Sequence, residues 1–315
     1  MLSTGHSVMP RLSRLQYLGF IFICLIWGST WMAIRVVVHD VPPIRAAAIR
    51  FLFATLLLIA IVPANRLPWP ATRSEWRALG LLGITFIALP YALLFWAEQQ
   101  ITSSLTAVIF SSYPLSVAFF TPFVTGQRVP RRAVYGMVWA VGGIAVLFYS
   151  ELSLSWRMLA GGFAVIGAVL IGSWSSIYAK RELKDVNPLV GTTVQFAMAA
   201  VFLYIASFVL ERGTISAWTR SSLLALAFLV VFGSVITFSL YYWLLKSLLP
   251  YQLSTLNLIV PVIAIAEGAL ILREPVPPVM LIASLVVLVA VGSILRAEDE
   301  RPQELGLRTS IKKHS

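Results

Sequence analysis

The chain repeats itself, and its repeat unit contains an odd number of membrane-length apolar stretches. Shifted by 145 positions, Arg35, Asp40, Pro43, Phe51 and Ala54 fall on Lys180, Asp185, Pro188, Phe196 and Ala199. At a shift of 147, Trp96, Pro114, Val129 and Pro130 fall on Trp243, Pro261, Val276 and Pro277, so the second copy has gained two residues in one loop. Each stretch of about 20 apolar residues makes a helix of about 30 Å, enough to cross a bilayer. A unit of five such helices crosses an odd number of times, so its second copy must enter the membrane upside down. The predicted fold is an all-α integral membrane protein of ten transmembrane helices built as two inverted five-helix repeats.

The predicted spans are 15–38, 44–63, 77–97, 102–125, 133–149, 159–179, 189–210, 223–245, 251–272 and 276–295. They divide the chain into a tail (1–14), a first five-span repeat (15–150), a second (151–295) and a C-terminal tail (296–315). A chain that is 59% hydrophobic and only 12% charged has more apolar surface than a soluble core can hide. The apolar runs are continuous rather than alternating with period two, which excludes a membrane β-barrel. The first span follows Arg11 and Arg14. It is too long for a signal-peptide core and lacks a small-residue cleavage site, so it reads as a retained helix. The single cysteine, Cys24, allows no intrachain disulfide and no thiolate metal cluster. His6, His39 and His314 lie in tails or a loop, with no zinc or catalytic pair among them, and no cofactor is expected.

The net charge of +11 is not gathered into a nucleic-acid-binding patch with interleaved aromatics. It marks alternate loops: Arg11 and Arg14; Arg66, Arg73 and Arg77; Arg128, Arg131 and Arg132; Lys180, Arg181 and Lys184; Lys246; and the C-terminal tail. These account for 17 of the 24 basic residues, and the positive-inside rule then puts both termini in the cytoplasm. Equivalent loops of the two copies carry opposite signatures. The loop with Arg128, Arg131 and Arg132 corresponds to one with only Arg273 beside Glu274, and the loop at His39 corresponds to the basic segment Lys180 to Lys184.

On the sixth span Ala160, Ala164, Ala168, Gly172 and Ser176 fall four apart, a smooth stripe for close helix approach. Gly136 and Gly143 make a weaker face on the fifth. Trp69, Trp76, Trp156 and Trp218 stand at span ends, as interfacial belt residues do. Trp27-Gly28-Ser29, Arg50-Phe51 with Ala54, Pro114, Pro261 and Arg273-Glu274-Pro275, in this order within a ten-span repeat, resemble the EamA-like branch of the drug/metabolite transporter superfamily. The resemblance covers nearly everything but the tails. Gly126-Gln127-Arg128 departs from the Leu-x-Glu-like turn usual there, and Gln195 stands where an arginine is expected opposite Arg50. The resemblance implies a metabolite or drug exporter of a bacterial inner membrane, with a cavity lined by the first, third, fourth, sixth, eighth and ninth spans.

Charges inside a bilayer cost about 3 kcal/mol or more, so the few that occur there carry weight. Arg50 is expected about 9 Å below the outer end of its helix, either as a structural anchor or as part of an outer gate. Glu98 ends the third span on the same side, as a water-facing residue or a gate partner. Glu267 stands among apolar Ile263, Ile265 and Leu270, with Phe120 as its counterpart in the first copy. It is a candidate for proton coupling, with an ion pair as the competing reading. Candidate substrate-binding residues are Trp27, Ser29, Trp31, Tyr91, Trp96, Ser112, Tyr113, Trp174, Tyr242, Trp243 and Asn257. Aromatic walls with scattered hydroxyls and one amide suit solutes with an apolar part and a polar head.

The leading expectation is a secondary transporter exporting small metabolites, amino acids or amphipathic drugs by alternating access, with proton coupling as one mode. The expected partners are a small-molecule substrate, the lipid bilayer and protons, with no nucleic acid, in a monomer or homodimer. No P-loop pattern is present to supply ATP drive within this chain. The alternatives are a receptor or scaffold without transport, a small-solute importer, and a membrane-embedded enzyme. The enzyme would need clustered His, Asp or Glu at a membrane face, which the sequence lacks.

Overall fold

The computed structural model describes residues 13–127, 129–147, 155–271 and 278–296. Arg11, Arg128, the segment Arg273-Glu274-Pro275 and the basic residues of the tail after Arg296 lie outside the described residues, as does the side chain of Glu267. Among the described residues the regular structure is helical. The first helices are α1 (Arg14–Asp40) and α2 (Pro43–Ala64), followed by α3 (Arg73–Leu82), a π-helical turn (Gly83–Ala88) and α4 (Leu89–Ala97) in one continuous rod. Then come α5 (Ser103–Phe110), α6 (Tyr113–Thr125), α7 (Arg131–Leu147), α8 (Trp156–Glu182) and α9 (Pro188–Leu210). A second composite rod follows, made of α10 (Arg220–Val230), a π-helical turn (Val231–Ile236) and α11 (Thr237–Ser247). The chain closes with α12 (Pro250–Leu253), α13 (Leu256–Ile271) and α14 (Pro278–Arg296). Among the described residues, seven helical segments are long and apolar enough to cross a membrane by length and composition: Arg14–Asp40, Pro43–Ala64, Arg73–Ala97, Leu105–Thr125, Trp156–Glu182, Pro188–Leu210 and Arg220–Ser247.

The helix starts follow from local capping chemistry. Ser13 and Gln16 form a reciprocal capping box that opens α1, and Thr72 with Glu75 does the same for α3. Ser155 caps α8, and Asn187 followed by Pro188 opens α9. Gly126 ends α6 with φ of +71°, a left-handed conformation that glycine adopts without a Cβ penalty.

Two composite helices are interrupted where hydroxyl side chains fold back onto their own backbone. Ser112 donates to the Ile109 carbonyl at 2.7 Å between α5 and α6, and Pro114 just beyond it cannot supply the next ladder bond. Ser254 and Thr255 donate to the carbonyls of Tyr251 and Gln252, each at 2.7 Å, between α12 and α13. Pro261, the counterpart of Pro114, runs inside α13. In the second copy the break therefore sits at the hydroxyl pair rather than at the proline.

The packing partners exchange with the repeat. α2 packs along α9, and α7 along α14. The third-span rod packs on α8 through α4, while the eighth-span rod packs on α1 through α10 and α11. α6 lies on α8, and α13 lies on α1. Both π-helical turns contain a glycine at a tight crossing. A Cβ on Gly83 would come within 2.6 Å of Met198 Cβ and 2.9 Å of the Gln195 carbonyl; one on Gly233 would meet Thr30 at 3.1 Å and Arg50 at 3.3 Å. Gly28 of the Trp-Gly-Ser motif faces Ile263 of α13 at 2.7 Å by the same measure. Small residues here let helices meet backbone to backbone, the usual source of tight packing where lipid removes the hydrophobic drive. Along the α8 stripe Ala164, Ala168, Gly172 and Ser176 are buried, and the Tyr113 ring fills the space beside Gly172. Leu18, Phe53, Leu56, Phe163, Tyr204 and Phe208 are exposed, as lipid-facing residues would be.

Candidate functional site: a central cavity closed by polar ends

The inner faces of these helices line a cavity of about 80 Å³. Trp27, Thr30, Trp31 and Ile34 come from α1, and Arg50 from α2. Phe86, Pro90, Tyr91 and Leu94 come from the third-span rod, and Phe110 and Tyr113 from α5 and α6. Ala168 and Gly172 come from α8, Phe238 and Tyr241 from α11, and Asn257 and Val260 from α13. The walls are mainly aromatic. Trp27 lies 5.8 Å from both Phe238 and Tyr241 between ring centroids, and Trp31 meets Phe110 edge-on at 5.4 Å. The Trp27 indole donates to Thr237 Oγ1 at 3.1 Å, which fixes its ring across the interface between α1 and α11.

Of the residues singled out from sequence, Trp27, Trp31, Tyr91, Tyr113, Asn257 and Arg50 come together at this cavity. Six others stand elsewhere. Ser29 donates to the Leu25 carbonyl within its own helix, and Ser112 serves the break before α6. Trp174 stacks on Tyr178 at 5.2 Å. Tyr242 donates to Gln195 Oε1 at 2.6 Å and faces a separate pocket beside Lys180, Lys184 and Lys246. Trp96 is 38% exposed and borders a groove with His39 and Glu211, while Trp243 packs over Gly19.

Arg50 is 1% exposed. Its Nε donates to Ser234 Oγ and its Nη2 to the Gly233 carbonyl, both at 2.8 Å, so α2 is tied to the π-helical turn of the eighth-span rod. Its guanidinium carbon stands 4.9 Å from the Tyr91 ring centre and 5.9 Å from that of Phe95. Glu98 is fully buried; Ser103 donates to its Oε2 at 2.7 Å, and its Oε1 has no hydrogen-bond partner among the described residues. Arg50 and Glu98 are not ion-paired among the described residues. Gln195, the counterpart of Arg50, is also buried and donates to the Gly191 carbonyl within its own helix.

Each end of the bundle is held by a cation on a helix terminus. Nη1 of Arg35 donates to the carbonyls of Glu98 and of Ile101, the latter at 2.9 Å, just past the end of α4. Nζ of Lys180 donates to the carbonyls of Leu245 and of Lys246, the latter at 2.9 Å, at the end of α11. A helix C-terminus leaves carbonyls without intrahelical donors and carries partial negative charge, so a cation suits it. Arg35 and Lys180 are repeat-equivalent positions, and they act on equivalent rods at opposite ends. The Arg35 end is further closed by Glu211, whose carboxylate accepts the backbone N–H groups of Ile44 (2.8 Å) and Arg45 (2.9 Å) and the Ser207 hydroxyl (2.7 Å). Glu211 thus caps α2, whose own Pro42 supplies no side-chain cap. Sequence reasoning passed over Glu211; the available signal was a proline-led helix start with no Ser, Thr, Asp or Asn before it.

Among the described residues, an apolar helical bundle with seven membrane-length helices around an aromatic cavity defines a multi-pass membrane protein. The EamA-like transporter family model matches residues 14–149 and again 159–296, so the chain belongs to that family, within the drug/metabolite transporter superfamily, and is a membrane transporter. Among its relatives, the uncharacterized transporter YoaV of Bacillus subtilis (strain 168) is 25% identical over 272 residues, covering 86% of this chain and 93% of that one. Protein PagO of Salmonella typhimurium is 26% identical over 250 residues (78% and 82%). The uncharacterized inner membrane transporter YedA of Escherichia coli (strain K12) is 28% identical over 258 residues (81% and 82%). A crystal structure with 20% identity superposes at a TM-score of 0.72 over 90% of this chain and 96% of the other, a likeness of fold. The family is one of transporters rather than enzymes, and the names of YoaV and YedA describe transporters.

Proposed function

We propose that this protein is a secondary transporter that exports a small amphipathic solute across a bacterial inner membrane by alternating access of two inverted five-helix repeats. In this reading the shorter helices α7, α13 and α14 complete ten spans, and both termini are cytoplasmic. The observation that carries it is the exchange of packing partners. The third-span rod sits on α8 as the eighth-span rod sits on α1, and Arg35 and Lys180 hold the ends of these rods at opposite ends of the bundle. Two structurally similar halves meeting in opposite senses can rock between two arrangements that expose one central site to either side. The π-helical turns at matched places in both rods supply the local pliability such rocking uses.

Proton coupling through Glu267 on α13 is part of this proposal, motivated by its apolar neighbours in sequence. The YedA name, which specifies an inner membrane transporter, supports the location. Purified protein in liposomes tests the function: saturable efflux of a loaded aromatic solute, accelerated by an inward proton gradient, is expected. Flux indistinguishable from empty liposomes for every solute class would refute it.

A further inference from the structure

The cavity holds two kinds of buried donor that find no hydrogen-bond partner among the described residues. Arg50 uses Nε and Nη2 on Ser234 and Gly233, whereas Nη1, buried, has no hydrogen-bond partner among the described residues. Trp31 lines the same cavity, and its buried indole N–H also lacks a partner. Trp27, its neighbour one turn away, has its indole satisfied by Thr237, so an idle indole is not the rule here. Guanidinium and indole N–H groups donate and cannot accept. Their joint requirement is an acceptor.

Charge narrows the class further. Arg50 is the one charged residue among the cavity-lining residues described, and no Asp or Glu is among them. A guanidinium stays protonated in proteins, and an uncompensated cation at membrane depth is costly. If Arg50 were only an anchor between α2 and the eighth-span rod, its fork would be expected to be fully bonded within the protein. Arg50 instead lines the same cavity as the aromatic walls made by Trp27, Trp31, Phe86, Tyr91 and Phe238, with its guanidinium carbon 4.9 Å from the Tyr91 ring centre. A planar carboxylate matches the guanidinium fork and returns the site to neutrality. A phosphate dianion would overshoot and leave one negative charge in an apolar chamber. A lipophilic amine would add a second positive charge to the first.

We propose that the cavity selects monoanionic carboxylates with an aromatic or bulky aliphatic body, the carboxylate held by Arg50 and Trp31, and that it rejects cations of the same shape. This rests on the transporter reading for its physiological meaning, but the binding it states stands apart from flux. The test uses three probes with one skeleton: 3-phenylpropionate, its neutral amide and phenethylamine. Binding to the detergent-solubilised full chain is read by tryptophan fluorescence and by thermal shift. The acid is expected to bind at least about tenfold more tightly than the amide, a charge-assisted bond set against a neutral one, and the amine not measurably.

Trp31→Phe removes the indole N–H together with one ring of the indole, and should weaken the acid about fivefold to tenfold more than it weakens the amide, which loses packing alone. Arg50→Met should erase the preference for the acid. Since Arg50 also ties two helices, Arg50→Lys, which keeps the charge but not the fork, is the folded control and should retain part of the preference. Equal binding of acid and amide, tighter binding of the amine, or no binding of the acid at millimolar concentration would each overturn the proposal. Flux in liposomes separates the two claims: transport of amines but not acids would overturn the selectivity and spare the transporter. Tight acid binding without flux of any solute would do the reverse.

Discussion

Arg35 and Lys180 make a paired prediction, because each holds one end of the bundle by the same chemistry. Arg35→Met deletes two charge-assisted bonds to the carbonyls of Glu98 and Ile101, and Lys180→Met deletes the equivalent pair at Leu245 and Lys246. A hydrogen bond to a charged group is worth about 1.5–3 kcal/mol where it is buried. Arg35 is exposed and Lys180 only partly buried, so solvent screening and side-chain entropy reduce this to about 1 kcal/mol per residue. That is about a fivefold shift in an opening equilibrium. Hydrogen–deuterium exchange on the solubilised protein reads it locally. Arg35→Met should speed exchange of the amides around 98–103 about fivefold and leave those around 245–250 unchanged or slower. Lys180→Met should do the opposite. Loosening of both ends by either substitution would mean that the cations stabilise the bundle as a whole, and the end-specific reasoning would fail.

Glu211→Ala removes the acceptor for two N–H groups at the start of α2 and for Ser207, and should cost about 2 kcal/mol, seen as a lowered melting temperature in detergent. Glu211→Gln, which keeps one good acceptor, should lose less. Gly83→Val forces a side chain into Met198 and the Gln195 backbone, so little folded protein should survive purification, whereas Gly80→Ala, where a Cβ meets nothing within 4 Å, should purify like the parent. Glu267→Gln should abolish acceleration of efflux by a proton gradient while keeping solute exchange, and wild-type coupling in that variant would exclude Glu267 as the proton site.

Much of the helical layout is legible in the chain because membrane length and capping chemistry are local properties. The predicted spans 15–38, 44–63 and 189–210 lie within Arg14–Asp40, Pro43–Ala64 and Pro188–Leu210, each bounded by residues that open or close a helix. The π-helical turns were not legible. Their extra residue per turn arises from fitting one rod against its neighbours, and glycine alone marks many other places. The break before α13 was not legible either, because Ser254 and Thr255, which carry it, look like ordinary span residues until their back-bonds are seen.

The chamber was partly legible. Tryptophan and tyrosine content announces aromatic walls, but which face an aromatic takes depends on helix rotation, and that is set by packing rather than by position in the repeat. Trp96 and Trp243 share a register and neither lines the cavity, whereas Trp31 lines it without a matched partner. Arg50 stood out in the sequence as a membrane-depth charge; its division into two satisfied donors and one idle donor is a property of the fold.

The central claim, one chamber reached from both sides in turn, is tested most directly by a single cysteine placed inside it. With Cys24→Ser as background, Ala168→Cys puts a thiol on the cavity wall at a position that is buried in this structure. A membrane-impermeant thiol reagent is applied separately to each face of sealed, oriented vesicles. Labelling from both faces is expected, with a bound solute slowing both reactions and with Arg35→Met and Lys180→Met favouring opposite faces. Labelling from one face only, unchanged by solute and by either substitution, would contradict alternating access through this cavity.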